Sequence, residues 1–191
     1  MNINEFLASL NRDQRAEVLA TLLNDLKWGP DNPIKPIEFA AICGAFTTTG
    51  CELMVLRERE HRLMGEARYE VLLIQRPPED KFYAGMYHAP GSVRRGHESN
   101  GSIIDRIIKN ELSGAEFSRI LQIGANTFQP RRGQEVTLLH VALLKGDYSG
   151  KGAWFPLDDL PPNEQILEHH QVMLAQVKEW LLNHDDRFPV T

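Results

Sequence analysis

The sequence predicts an α+β fold, with a mixed sheet between helices and an N-terminal helical arm ahead of it. Three observations lead there. The first 30 residues space their apolar side chains as a helix does, and the middle of the chain sets short β-rich runs around one amphipathic helical pattern. A second helical pattern closes the chain. The 191 residues suit one sizeable domain with an extension, not two full domains.

Each element has a local cause. In the arm, Asn11 and Gln14 stand three residues apart, as a capping box requires. Ala16, Val18, Leu19, Leu22, Leu23 and Leu26 then recur at helical spacing. The run DNPIKP, 31–36, ends that helix because two prolines cannot continue it. The apolar face of the arm either packs on the main domain or makes a homodimer contact. From residue 37 the period changes, and 37–46, 52–57 and 69–76 read as strands rich in Val, Ile, Leu and Phe. The charged stretch 57–68 alternates in sign and reads as a solvated hairpin tip or insertion. A helical pattern over 102–112 precedes two further strand-like runs, 120–128 and 136–144. Pro162 and Asn163 open the last helix, with Ile166, Leu167, Val172, Met173, Val177, Trp180 and Leu181 on its buried side. The expected organisation is an arm over 1–36, a main domain over 37–185 and a tail over 186–191.

Composition narrows the class of function. The net charge of −5 lacks the basic footprint of a nucleic-acid binder, so no nucleic-acid partner is expected. No stretch approaches the roughly 20 apolar residues that cross a bilayer. The N-terminus lacks the basic-then-apolar order of a secretory signal, so no membrane association and a cytoplasmic location are expected. Cys43 and Cys51 are too few for a disulfide scaffold, and free buried thiols are expected at both.

The chemistry concentrates in 69–114, YEVLLIQRPPEDKFYAGMYHAPGSVRRGHESNGSIIDRIIKNELSG. A buried strand ends in Gln75-Arg76 and an aromatic loop carries Phe82, Tyr83 and Tyr87. A Pro90-Gly91 turn, a polar loop with Glu98 and an amphipathic helix follow. This order resembles the Nudix superfamily, whose members hydrolyse diphosphates linked to another moiety. Its signature is a loop–helix–loop, G-x5-E-x7-R-E-U-x-E-E-x-G-U, with U a bulky aliphatic residue. Glu98 matches the first glutamate, Arg106 the arginine, Ile108 the aliphatic position and Glu111 the last glutamate of the pair. Downstream, WFPLDDLP over 154–161 resembles the tryptophan-plus-acidic turn before the last helix in many members. The likeness covers about 37–182 and implies a Nudix-type α/β/α sandwich.

The departures fall on the metal ligands. The first motif glycine is Ser92, and the closing glycine and aliphatic residue are Ser113 and Gly114. The glutamate after the arginine is Ile107, and the first of the pair is Asn110. The resemblance makes these two positions, with Glu111, the main metal ligands. Mg2+ takes oxygen ligands in near-octahedral geometry and helps generate the attacking water, which an isoleucine cannot support and an asparagine supports only with a neutral oxygen. The resemblance therefore implies a degenerate site, which binds or acts on a nucleoside-diphosphate-linked small molecule. Two alternatives stand beside it. One is an active Mg2+- or Mn2+-dependent hydrolase with Glu98 and Glu111 as ligands, extended by Glu135 or His97. The other is an interaction protein with no cofactor at all.

Helical geometry places Ile103, Ile104, Ile107, Ile108 and Leu112 on one apolar stripe, with Glu111 near its middle. A carboxylate there is either a ligand or the partner of Arg94, Arg95 or Arg106. Arg106 is expected to orient a glutamate through a charge-assisted hydrogen bond. Arg76 is placed to engage phosphate, and Phe82, Tyr83 and Tyr87 to stack on a planar group. Surface placement is expected for Arg131, Arg132 and the His169-His170 pair.

Overall fold

The computed structural model describes residues 3–26, 35–59, 67–96, 98–131 and 133–184. The chain divides into two compact units, Met1–Ile42 and Cys43–Thr191.

The first unit is helical. After α1 (Ile3–Ser9), α2 (Arg12–Leu26) opens on the expected capping box. The Asn11 amide donates to Gln14 Oε1 at 3.0 Å, and the Gln14 amide donates back to Asn11 Oδ1 at 3.0 Å. Each bond satisfies a backbone donor that the first turn would otherwise leave open. Leu19 and Leu22 are exposed. The run 37–46, expected as a strand, is helical instead: α3 spans Pro36–Ala45 and crosses from the first unit into the second. Proline suits the first helical position, where its missing N–H is no loss. The Glu38 carboxylate accepts from the Lys35 amide at 2.8 Å, closing the new N-terminus. Three alanines in the run reinforce the helix, since alanine has the best intrinsic propensity.

The second unit is a seven-stranded mixed sheet between helices, as expected. Its main path runs β3 (Tyr87–His88), β2 (Tyr69–Gln75), β1 (Thr48–Glu58), β6 (Glu135–Leu144), β5 (Phe117–Phe128). Off this path β4 (Gly91–Val93) pairs with β1, and β7 (Ala153–Pro156) with β2. β1 lies parallel to β6 and antiparallel to β2 and β4. Alternation along β1 builds two cores, because successive side chains point to opposite faces. Met54 and Leu56 join Val71, Leu73, Leu139 and Val141 under α5 (Glu168–His184), which contributes Met173, Leu174 and Val177. Leu53 and Val55 join Leu72 and Ala142 under α4 (Asn100–Glu111), which contributes Ile103 and Ile107. Each such fully buried Leu or Ile contributes about 1.5–3 kcal/mol of transfer free energy.

Strand pairing carries several elements past their sequence-read limits. β1 starts at Thr48 because Thr48 to Leu56 run in register with Glu135 to Leu143. The 57–68 segment continues the hairpin as far as a bond from the Arg59 amide to the Arg68 carbonyl at 3.0 Å, and its tip lies outside the described residues. The last helix starts later than Pro162: a 3-10 turn at Asn163–Gln165 and a bridge between Ile166 and Tyr87 come first. Val172 is exposed at 49%, whereas the other aliphatic residues expected on that side are buried. His169 and His170, expected at the surface, are 7% and 2% exposed. They enter the sheet face together beside Tyr83, Phe128 and His88. Cys43 and Cys51 are buried thiols outside any disulfide. Among the described residues no helix is long and apolar enough to cross a membrane.

Candidate functional site

Ser99 caps α4, accepting from the Ser102 amide at 3.1 Å, and starts the helix two residues earlier than its apolar pattern does. The strand-loop-helix path from Gly91 to Glu111 then folds on one arginine. Arg106 Nε donates to Glu98 Oε1 at 2.5 Å, and Nη2 donates to Oε2 at 2.8 Å. Its remaining donors reach Ser92 Oγ at 2.8 Å and the Val93 carbonyl at 3.0 Å. The Arg95 amide completes the set on Glu98 Oε2 at 2.8 Å. Arg106 and the Arg95 amide hold the Glu98 carboxyl below its ordinary range, although burial opposes them.

Glu111 stands at the other end of the helix. It is half-buried, and Oε2 accepts from the Gly91 amide at 3.3 Å. Burial raises its carboxyl above the ordinary value, against the pull of the Gly91 amide and the charges of Arg76, Lys151 and Arg106. None of Arg94, Arg95 and Arg106 takes Glu111 as its ion-pair partner among the described residues, because Arg106 and the Arg95 amide serve Glu98 and Arg94 Nε donates to the Glu98 carbonyl at 2.7 Å. Glu52, buried in β1, reaches the same point from the opposite side. It pairs across the ladder with Gly91, and its carboxylate occupies the space that a Gly91 side chain would need. A Cβ at Gly91 would fall on that carboxylate, which would have to move to admit it.

Ile107 lies one turn before Glu111 and is 1% exposed in the same apolar cluster as Cys51, Leu53 and Val55. Asn110 is exposed. Both Glu98 oxygens are engaged by Arg106, so Glu98 is not open to a divalent ion in this arrangement. Among the described residues no three His, Cys, Asp or Glu side chains come together as a metal site.

The expected ligand-facing residues fall in one neighbourhood. Arg76 follows β2 and its Nη1 donates to Asp80 at 2.9 Å, while Asp80 also accepts from the Phe82 and Tyr83 amides at 2.9 and 2.8 Å. Tyr83 is buried between two guanidinium groups, 5.9 Å from Arg76 and 5.6 Å from Arg131, and its hydroxyl accepts from the Arg131 amide at 2.8 Å. Arg131 is exposed as expected, and its side chain donates to the Phe82 carbonyl at 3.2 Å. Phe82 is half-buried on the same loop. Tyr87 packs edge-on against Phe155, with ring centroids 5.2 Å apart. Glu135 is 1% exposed and takes the Thr137 hydroxyl at 2.8 Å, against Gly50. His97 and Arg132 lie outside the described residues.

Three residues at the site escaped the sequence reading. Glu52 had a visible signal, a lone carboxylate inside the apolar run CELMVL. Tyr148 and Lys151 had none: the Tyr148 hydroxyl reaches the Glu111 carbonyl, and the Lys151 charge acts on the Glu111 carboxyl, across about 40 residues of chain.

No protein-family model and no curated protein matches this sequence. Solved structures share the fold. A MutT NUDIX hydrolase from Burkholderia pseudomallei is 22% identical over 69% of this chain and 98% of its own, with a TM-score of 0.52. The NUDIX domain of Shewanella oneidensis NrtR, complexed with ADP ribose, is 18% identical over 90% of this chain and 99% of its own, with a TM-score of 0.54. The Ap4A hydrolase of C. elegans is 16% identical over 71% and 99%, with a TM-score of 0.51. A further structure holds Shewanella oneidensis NrtR with a 27mer DNA, 20% identical over 71% and 63%, TM-score 0.54. The fold thus occurs in a DNA-bound protein, and an acidic net charge is no ground for excluding nucleic acid.

Proposed function

The chain has the Nudix fold, and from that premise we propose that it binds a nucleoside-diphosphate-linked small molecule without the standard metal-dependent hydrolysis. One observation carries this reading. Both oxygens of Glu98 are committed to Arg106, and the helix face leading to Glu111 is filled by Ile107, so that among the described residues Glu111 has the buried Glu52 near it but no carboxylate cluster. With Ile107 and Asn110 in place of two carboxylates, the site supplies less negative charge to hold Mg2+ or Mn2+ and activate water on a diphosphate.

The same neighbourhood supports binding. Arg76 offers a planar fork suited to phosphate oxygens. Phe82 supplies aromatic surface on the adjoining loop, and the buried Tyr83 next to it is fixed by the Arg131 amide. Tyr87 serves from further back, holding β3 through its contact with Phe155. Glu98 and Arg106 shape the loop, and Glu111 sets the polarity at its end.

Thermal stability with ADP-ribose, Ap4A and nucleoside triphosphates, each with EDTA, Mg2+ or Mn2+, tests the reading. The expected result is a rise in melting temperature with an organic diphosphate alone, since a ligand that binds only the native state stabilises it. A rise that needs metal as well, with turnover abolished by Glu111→Gln, would instead establish the Mg2+- or Mn2+-dependent hydrolase with Glu98 and Glu111 as ligands. No rise with any compound would support an interaction protein.

A further inference from the structure

The chain from β3 to β4 is held through its own backbone groups. The Tyr87 carbonyl accepts from the Leu167 amide at 3.1 Å, and the Pro90 carbonyl from the Leu53 amide at 2.8 Å. The Gly91 amide donates to Glu111 Oε2 at 3.3 Å. Between these points two imidazoles grip Ala89. Its amide donates to His170 Nδ1 at 3.1 Å, and its carbonyl lies 2.7 Å from His88 Nδ1.

These two bonds assign the protons. A backbone N–H only donates, so His170 Nδ1 is bare and the ring hydrogen sits on Nε2. A carbonyl only accepts, so His88 Nδ1 carries its hydrogen. The two rings therefore respond differently to acid. A further proton on His88 goes to Nε2 and leaves its bond in place. A further proton on His170 goes to Nδ1 and sets two N–H groups against each other. His170 is 2% exposed and Ala89 fully buried, so no solvent stands ready to take the released amide. Facing His170 are His169 on its own helix, with ring centroids 4.5 Å apart, and His88 from β3 at 6.0 Å. Tyr83 stands 6.1 Å from the His169 ring, between the guanidinium groups of Arg76 and Arg131. Those guanidinium groups, and either neighbouring imidazole once charged, repel a cation at His170.

We propose that His170 is a positioning residue and an acid-sensitive latch: neutral, it holds Ala89 and with it the Pro90-Gly91 turn against Glu111, and its protonation releases that turn. The inference goes beyond the binding reading and needs no ligand. The latch is closed above the ordinary imidazole value of about 6.5 and opens as pH falls below it, because only the open state accepts the proton on Nδ1.

Nitrogen NMR and amide hydrogen exchange on the full chain test this. At about pH 7.5 the His170 Nδ1 resonance is expected where a bare imidazole nitrogen falls, with the hydrogen on Nε2. Protection of the Ala89 amide, corrected for intrinsic exchange, is expected to drop about tenfold or more between about pH 7.5 and 5.5. His170→Asn sets an amide oxygen near the place of Nδ1, an acceptor that does not titrate, and is expected to keep the protection at both pH values. His88→Asn is expected to retain the wild-type drop. A hydrogen on His170 Nδ1 at about pH 7.5, or Ala89 protection that pH leaves unchanged, overturns the inference. So does a drop as large in His170→Asn as in wild type, or one that His88→Asn abolishes. If His170→Asn does not fold, the wild-type resonance and exchange decide by themselves.

Discussion

Arg106 holds Glu98 in a two-point fork, Nε to Oε1 at 2.5 Å and Nη2 to Oε2 at 2.8 Å, across the first turns of α4. The remaining donors of the same guanidinium tie Ser92 and Val93 into the unit, so one side chain sets the course of the chain from β4 to α4. Both partners are largely shielded, at 17% and 15% side-chain exposure.

That shielding makes the fork sensitive to either partner. Arg106→Ala removes four donor contacts and leaves a partly buried carboxylate unpaired, at an expected cost of about 2–4 kcal/mol. Arg106→Lys recovers little, because an ammonium cannot reproduce the planar fork. The pH dependence has a defined sign. Glu98 ionises more readily in the folded chain than at its ordinary value of 4.5, so its contribution is full above 4.5 and is lost as pH falls through the lower folded value. Urea unfolding of wild type and Arg106→Ala at neutral and acid pH checks this. The stability gap is expected to narrow in acid, and an unchanged gap would remove Glu98 as its cause.

Placing glutamate where the Nudix signature has it costs unequal amounts at two nearby positions. Ile107→Glu places a carboxylate in an apolar cluster at a site 1% exposed, and is expected to destabilise by about 3 kcal/mol or more. Asn110→Glu, at an exposed position, is expected to cost less than about 1 kcal/mol, chiefly through the helix C-terminus. Thermal melts of both variants decide it. Equal melting temperatures would show that the α4 face near Glu111 is open to water.

Cys51 is predicted to be chemically silent in the folded chain. Burial raises its thiol to about 12, with the Glu52 charge adding to the effect and Arg106 opposing it. His140, whose Nδ1 lies 3.5 Å from the sulfur, is itself pushed down by burial and stays neutral. No thiolate–imidazolium pair forms, and the thiol stays protonated near neutral pH. Iodoacetamide labelling followed by mass spectrometry is expected to modify Cys51 only on unfolding. Native labelling at the rate of a free peptide thiol would contradict the burial.

Much of the frame was legible because its causes are local. The Asn11–Gln14 cap, the apolar stripe of α4, the β1–β2 hairpin and the Glu98–Arg106 spacing each depend on residues a few positions apart. Where the local signal was mixed, the reading failed. The run 37–46 is apolar without a clear period, and the alanines with the Lys35–Glu38 cap made it a helix. His169 and His170 were read as surface residues because adjacent helical positions differ by about 100°. The first turn of α5 is enclosed from more than one side, and both rings are covered.

The sequence by itself determined that a mixed sheet lies between two helices, that Glu98 and Glu111 bracket the second of the motif's segments, and that Ile107 cannot be a ligand. Only the tertiary structure decided what surrounds Glu111. Glu52 arrives through β1–β4 pairing, and Tyr148 reaches the Glu111 carbonyl from the segment between β6 and β7. These groups meet because strand register and loop closure bring distant segments to one point. Residue spacing along the chain holds no record of that meeting.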